Sequence, residues 1–272
     1  MESTQKKYKI LVSNDDGIDA PGVLSIVEEL ARYHDRYEVR VACPAEQQSA
    51  QSHAVTIFKP LWAEPYAFHS DLAHVPAYKV SGTPTDCVKV ALMSDLLGGW
   101  QPDLVVSGIN AGQNDGLNVI YSGTCAAALE ASMYDIPSIA LSLEYNFAIG
   151  DAVLADISLW KNICCNVNFP NVPEDQVKGY KLTKQGNSSF KDKYVRHHMT
   201  EEEKHLHPTR TVYRMEGFME LSDTDEELDT VAMRQGWVAV TPISAYAQNA
   251  LALDTTAKIT SWPVFSLTPA SL

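Results

Sequence analysis

The feature that most constrains this chain is the alternation, through its first half, of short β-type runs with stretches of helical periodicity. Two neighbouring parallel strands cannot be joined by a tight turn; they need a crossover of about a dozen residues or more, usually a helix. A chain that reads strand, helix, strand, helix therefore specifies a parallel sheet wound with helices on both faces. Residues 9–13 (KILVS) read as a buried strand, and residues 21–33 as a helix opened by Pro21, whose missing N–H costs nothing in a first turn. Residues 37–42 (YEVRVA), 78–82 (YKVSG), 103–110 (DLVVSGIN) and 138–143 (SIALSL) read as further strands. Residues 85–97 carry Val88, Ala91, Leu92 and Leu96 at helical spacing, TCAAALEASM after Gly123 favours helix, and residues 148–165 are periodic enough for a long one. After about residue 166 the pattern changes to extended pieces, GYKLTK, TVYRMEGFM and WVAVTPI, separated by acidic segments; of these, 223–229 is expected to be a solvated loop or helix face. The expected organisation is a single α/β domain over 1–272: a three-layer, mostly parallel wound core over about 8–166, then an antiparallel or mixed C-terminal extension over about 167–272.

Charge narrows the partners. With 34 acidic and 21 basic residues the net charge is -13, which opposes binding to nucleic-acid polymers and to anionic membranes. An anionic substrate must then meet a local patch or a bound cation. No apolar run reaches membrane-spanning length and the start, MESTQKKYK, lacks the apolar stretch of a secretory signal, so a cytoplasmic protein is expected. The five cysteines, Cys43, Cys87, Cys125, Cys164 and Cys165, form no CxxC pair and are expected to be reduced and buried. The histidines of RHHMTEEEKHLHP lie in a polar, irregular setting that does not suit a zinc site.

Polar loops follow three of the expected strands: SNDDG, PAEQQS and SGINAGQNDG. In a wound sheet the carboxyl ends of parallel strands share one edge, so these loops can converge. Asp15 and Asp16 then become chemically telling. Two carboxylates held about 4 Å apart repel by roughly 4 kcal/mol at an effective dielectric near 20, and a hard divalent cation relieves that repulsion. Adjacent strand residues point to opposite faces, so both can serve one ion only where the strand ends and turns, which Gly17 permits. Mg²⁺ or Mn²⁺ takes oxygen ligands, and Ser49 and Asn110 are the candidates to complete the set with Asp15 and Asp16. The competing reading of Asn14, Asp15, Asp16 and Gly17 is a plain acidic turn. Ser122, Gly123 and Thr124 lead into a helix whose free amides suit a phosphate, and Asn114 could donate to the same group; simple N-capping is compatible with that role. In SGTPTD, Pro84 and Asp86 fit a helix start.

ILVSNDDGIDAPG, SGTPTDCV and PDLVVSGINAGQN…VIYSGTCAAALEA, in this order and spacing, resemble the survival protein SurE family of metal-dependent nucleotidases. NVNFPNVPEDQVKGYKLTKQG and GWVAVTPI extend the likeness over nearly the whole chain. The resemblance implies a Rossmann-like core and one divalent metal ion per subunit, held by Asp15, Asp16, Ser49 and Asn110, with Asp15 and Asp16 at the centre of catalysis. It places Asn14, Asn114, Ser122, Gly123 and Thr124 around the substrate phosphate. The implied reaction is hydrolysis of nucleoside 5'- and 3'-monophosphates, with short polyphosphate as a further substrate of some members. It also implies a homodimer or homotetramer in which a C-terminal β-hairpin and helix extension reaches a neighbour. Two stretches depart from the family pattern: the loop before Ser49 reads AEQQSAQSH, without the usual Arg and Gly, and Tyr246-Ala247-Gln248 stands where Asp-x-Thr is common.

Two other readings of the acidic pair remain. An aspartyl-phosphate phosphatase would use Asp15 as a covalent nucleophile, although such enzymes use Asp-x-Asp rather than adjacent aspartates. A receiver-like signalling module would also place paired acids after its first strand, but Ser107-Gly108-Ile109-Asn110 supplies no phosphate-accepting Asp, and the chain is about twice the length such a module needs.

Overall fold

The structure, a computed structural model, describes residues 7–143, 164–207 and 209–244. Strand β1 (Tyr8–Ser13) is at the middle, with its last four residues buried. Its alternate side chains go to opposite faces: Ile10 and Val12 join one apolar cluster and Leu11 another. Helix α1 (Pro21–Arg32) covers the first face with Val23, Ile26, Val27 and Leu30. The second face is covered by α2 (Pro84–Met93) and α3 (Gly123–Ser132), through Val88, Ala91, Ala127 and Ala131. Helix α3 is buried along most of its length, and its run of alanines lets it lie close to the sheet and to α2 at once.

Strands β2 (Tyr37–Pro44), β3 (Ala63–Tyr66), β4 (Ala77–Val80), β5 (Leu104–Ala111), β6 (Ser138–Leu143), β7 (Cys164–Phe169), β8 (Tyr180–Leu182) and β11 (Val238–Ile243) complete a nine-stranded sheet of order β3-β4-β2-β1-β5-β6-β7-β11-β8. From β4 through β7 every pairing is parallel. The chain steps one way from β1 to β2 and later the other way to β5, which makes the gap beyond the β1 and β5 carboxyl ends the switch point of the sheet. The wound, mostly parallel Rossmann-like architecture is therefore present.

Beyond residue 166 the sheet continues. β11 runs antiparallel to β7 and parallel to β8. Between them, β9 (Ser189–His197) and β10 (Val212–Glu220) form a separate antiparallel hairpin, with the short helix α4 (Glu201–Leu206) capped by Thr200 at its tip. Helix α5 (Asp229–Arg234) precedes β11.

Several details differ from the sequence reading. Cys164 and Cys165 begin β7 rather than end a helix, and residues 148–163 of that expected helix lie outside the described residues, as do Tyr246, Ala247 and Gln248. Helix α2 stops at Met93, not at 97: Ser94 turns extended and its hydroxyl donates to the Val90 carbonyl and accepts from the Leu96 amide, which closes the last turn. The edge strand β3, AEPY, has neither alternation nor β-branched residues to announce it. The segment 223–229 is not simply solvated. Asp223 and Asp229 are buried, because their carboxylates take backbone amides of Asn187, Ser188, Gly186 and Gly116 that would otherwise lack partners. All five cysteines are buried. Among the described residues no helix is long and apolar enough to cross a membrane.

Candidate active site

β1 ends in a turn that Asn14 closes by donating its side-chain amide to the Gly17 carbonyl at 2.8 Å. Gly17 has φ +95°, a conformation other residues rarely adopt, and it packs on the backbone of Glu46 in the loop after β2. The turn sends its two aspartates to different neighbours across the switch point. Asp16 accepts the Ala111 amide at the end of β5 at 3.0 Å. Asp15 rests on the first turn of α3, where its carboxylate accepts both the hydroxyl and the backbone amide of Thr124.

Asp15 can sit there because residue 123 is glycine: a Cβ at that position would come within 2.8 Å of the Asp15 Cβ. Only 4% of Asp15 is exposed. Burial pushes its carboxyl up to about 6; the Thr124 hydrogen bonds pull the other way, and the charge of Asp16 adds to the rise. A nearly dry carboxylate beside a second one, on a helix N-terminus that favours negative charge, is an arrangement suited to a cation.

In front of Asp15 is an open cavity of about 420 Å³. Ser49, Asn110, Asn114 and Ser122 line it together with Asp15. Asn110 donates its amide nitrogen to the Gly112 carbonyl at 2.7 Å, which leaves the amide oxygen as its ligating end. Ser49 is exposed on a loop fixed at several points: Gln48 N–H donates to the Asp15 carbonyl, Ser52 donates from its amide and hydroxyl to the carbonyls of Tyr121 and Ile120, and His53 pairs with Glu130 of α3 at 2.7 Å. Ser122 caps α3 by accepting the Cys125 amide.

Asn14, Gly123 and Thr124, expected at the phosphate, are not among the lining residues. Asn14 is fully buried and holds the turn, Gly123 makes room for Asp15, and Thr124 donates to it. Sequence reasoning missed the opposite wall, built from Gln113, Asn118 and Tyr121 and from Phe190 and Met219 at the root of the hairpin. Nothing local in the sequence marks Phe190 or Met219, since only the fold brings them to the loop after β5.

The family model described as survival protein SurE matches residues 10–192. The chain belongs to the SurE family. A 5'-nucleotidase SurE of Thermosipho africanus is 37% identical over 253 residues, spanning 88% of this chain and 92% of that protein. One from Clostridium botulinum strain Alaska E43 is 34% identical over 267 residues, spanning 92% and 98%. The crystal structure of the SurE protein from Aquifex aeolicus superposes with a TM-score of 0.67 at 27% identity, covering 93% of this chain and all of that one.

The oxygen atoms of this SurE site fit a hard divalent ion. No group of three or more His, Cys, Asp or Glu side chains that could hold a metal occurs among the described residues. Of the four expected ligands, Asp15, Ser49 and Asn110 line the cavity, while Asp16 takes the Ala111 amide and is not among the lining residues; carboxylate, amide and hydroxyl oxygens suit Mg²⁺ or Mn²⁺ with water completing the shell and do not suit a soft metal.

Proposed function

We propose that this SurE-family chain is a nucleotidase that hydrolyses nucleoside 5'- and 3'-monophosphates to nucleoside and phosphate. It uses one Mg²⁺ or Mn²⁺ held by Asp15, Asp16, Ser49 and Asn110, with short-chain polyphosphate as a second substrate class. The observation that carries the reading is the juxtaposition in one cavity of the buried Asp15 carboxylate and polar Asn114 and Ser122 with an apolar wall of Tyr121, Phe190 and Met219. A phosphate meets the first group and a nucleoside the second. The names borne by the relatives point the same way.

When bound, the ion supplies positive charge for the phosphate and makes nearby water more acidic. The chain does the rest. Asp15, whose buried carboxylate lines the cavity, would hold the ion and orient the attacking water. Asn114 offers an amide N–H to the phosphoryl oxygens as negative charge shifts during displacement of the nucleoside. Tyr121 and Phe190 shield the leaving nucleoside from water. We also propose a homodimer or homotetramer joined through the β9–β10 hairpin, whose Tyr194, Tyr213, Met215 and Phe218 are exposed; light scattering on the hairpin-deleted and intact chains tests it.

The experiment for the reaction is phosphate release from a panel of nucleoside 5'- and 3'-monophosphates and tripolyphosphate, with Mg²⁺, Mn²⁺ and chelator arms. Release from monophosphates that the chelator abolishes is expected. No chelator-sensitive release from any member of the panel rejects the reading.

A further inference from the structure

Strand β7 lies inside the sheet between β6 and β11, and all six of its residues, CCNVNF, are buried. Cys165, Val167 and Phe169 belong to the large apolar cluster. The alternate positions put Asn166 and Asn168, both with no exposed surface, on the α3 side, where Cys164 packs with Cys125 and Ala128. An amide in such a place is costly unless it is hydrogen-bonded, and Val or Ile would pack there without that cost. The Nδ2 of Asn168 is buried with no partner, so at this residue the cost is only partly offset.

What these amides do hold is the cavity wall. Asn168 Oδ1 accepts the Asn114 backbone N–H at 2.8 Å. Asn166 Nδ2 donates to the Asn114 carbonyl at 2.7 Å, and its Oδ1 accepts from the Cys125 thiol in the first turn of α3. From β6, the Ser142 hydroxyl accepts Asn114 Nδ2 at 2.9 Å. Asn114 is thus gripped at its amide, its carbonyl and its side chain by three buried residues of the sheet. Through Asn166 and Cys125 the same network reaches the turn capped by Ser122, which also lines the cavity.

We propose that Asn166 and Asn168, with Ser142, are positioning residues that fix the phosphate end of the cavity. They set the backbone of Asn114 and leave the second hydrogen of its side-chain nitrogen to donate to a phosphoryl oxygen. The proposal rests on reading the cavity as a phosphate site. It separates two functions by strand: the candidate metal ligands come from the ends of β1 and β5 and the loop after β2, and the phosphate donor is held from β6 and β7.

The test titrates inorganic phosphate into the Mn²⁺-supplemented full chain by calorimetry, and Mn²⁺ into the metal-free chain, for the natural sequence, Asn168→Ala, Asn166→Ala, Ser142→Ala and Asn168→Asp. Asn168→Ala is expected to weaken phosphate binding about 10-fold or more while Mn²⁺ affinity stays within about 2-fold, because one charge-independent hydrogen bond to the donor loop is lost and the metal side is untouched. Asn168→Asp keeps the accepting oxygen and the shape but adds a buried carboxyl near the phosphate, so it is expected to recover binding only as pH falls and that carboxyl takes a proton. Phosphate affinity unchanged in all three alanine variants overturns the proposal, as does parallel loss of phosphate and Mn²⁺ binding in step with falling thermal stability. If the natural chain itself binds no phosphate, the nucleotidase reading fails separately. A crystal structure of Asn168→Ala then decides the positioning: Asn114 displaced supports it, and Asn114 in place rejects it.

Discussion

Asp15 shows how much of a side chain's chemistry is set by its neighbours in the fold. Its burial and the neighbouring Asp16 raise its carboxyl to about 6, and Thr124 and the room left by Gly123 hold it in place. Asp15→Asn is expected to lower turnover by about 10³-fold, as removal of a metal ligand should. The metal-free variant is expected to melt no lower than the natural chain, because the charge removed is one that burial disfavours. Phosphate release and thermal melts check both. Gly123→Ala is expected to push Asp15 out of place, since its Cβ would lie 2.8 Å from the Asp15 Cβ, and to weaken Mn²⁺ binding by about 10-fold or more; calorimetry reads it. The sequence showed the acidic pair plainly, because two adjacent carboxylates after an apolar strand need a reason to be there. It could not show that Asn14 holds the turn or that Thr124 donates to Asp15, since the Thr124 contact spans 109 positions of chain.

Among elements, the loop after β2 depends on a buried charge cluster. Glu130 of α3, whose side chain is 3% exposed, takes His53 from that loop and Lys89 from α2, each at 2.7 Å. Burial alone would raise the Glu130 carboxyl, but the His53 and Lys89 hydrogen bonds outweigh it and hold it below the usual carboxylate range. A carboxyl whose folded-state pKa is lowered adds stability above its unfolded-state value and loses it as pH falls through the folded-state value. The urea midpoint is therefore expected to drop as pH falls below the ordinary glutamate value of 4.5, and Glu130→Gln is expected to flatten that part of the curve. The same variant is expected to loosen the segment carrying Ser49, read as faster proteolysis between α-carbon positions of residues 45 and 56. The helix starts at Pro21 and Pro84 were visible in sequence because proline and a capping threonine act locally. The end of α2 was not, because apolar spacing continues to Leu96 while the Ser94 hydroxyl ends the helix.

At the scale of the molecule, alternation of strand and helix sufficed for the wound half of the sheet, where each strand is specified by its own run and crossover. The far side was legible only as extended pieces: β11 inserts between β7 and β8 although the β9–β10 hairpin separates it from both in the chain, and buried Asp223 and Asp229, which hold amides of the segment after β8, look in sequence like surface charge. The net charge of -13 repels a nucleotide before the local site attracts it. Raising salt from about 10 mM to about 150 mM is expected to increase kcat/KM for a nucleoside monophosphate, because it screens the long-range repulsion more than the close contacts; a decrease would point to a positive field at the cavity mouth. The opposite wall of the cavity, Phe190 and Met219, belongs to the root of a hairpin outside the large sheet. On the proposed reading, the ion's ligands and the wall facing the leaving group come from separate stretches of chain. A library confined to residues 190 and 219 can sample new leaving groups while the ion's ligands stay as they are, which makes the hairpin root the natural place to redirect this scaffold.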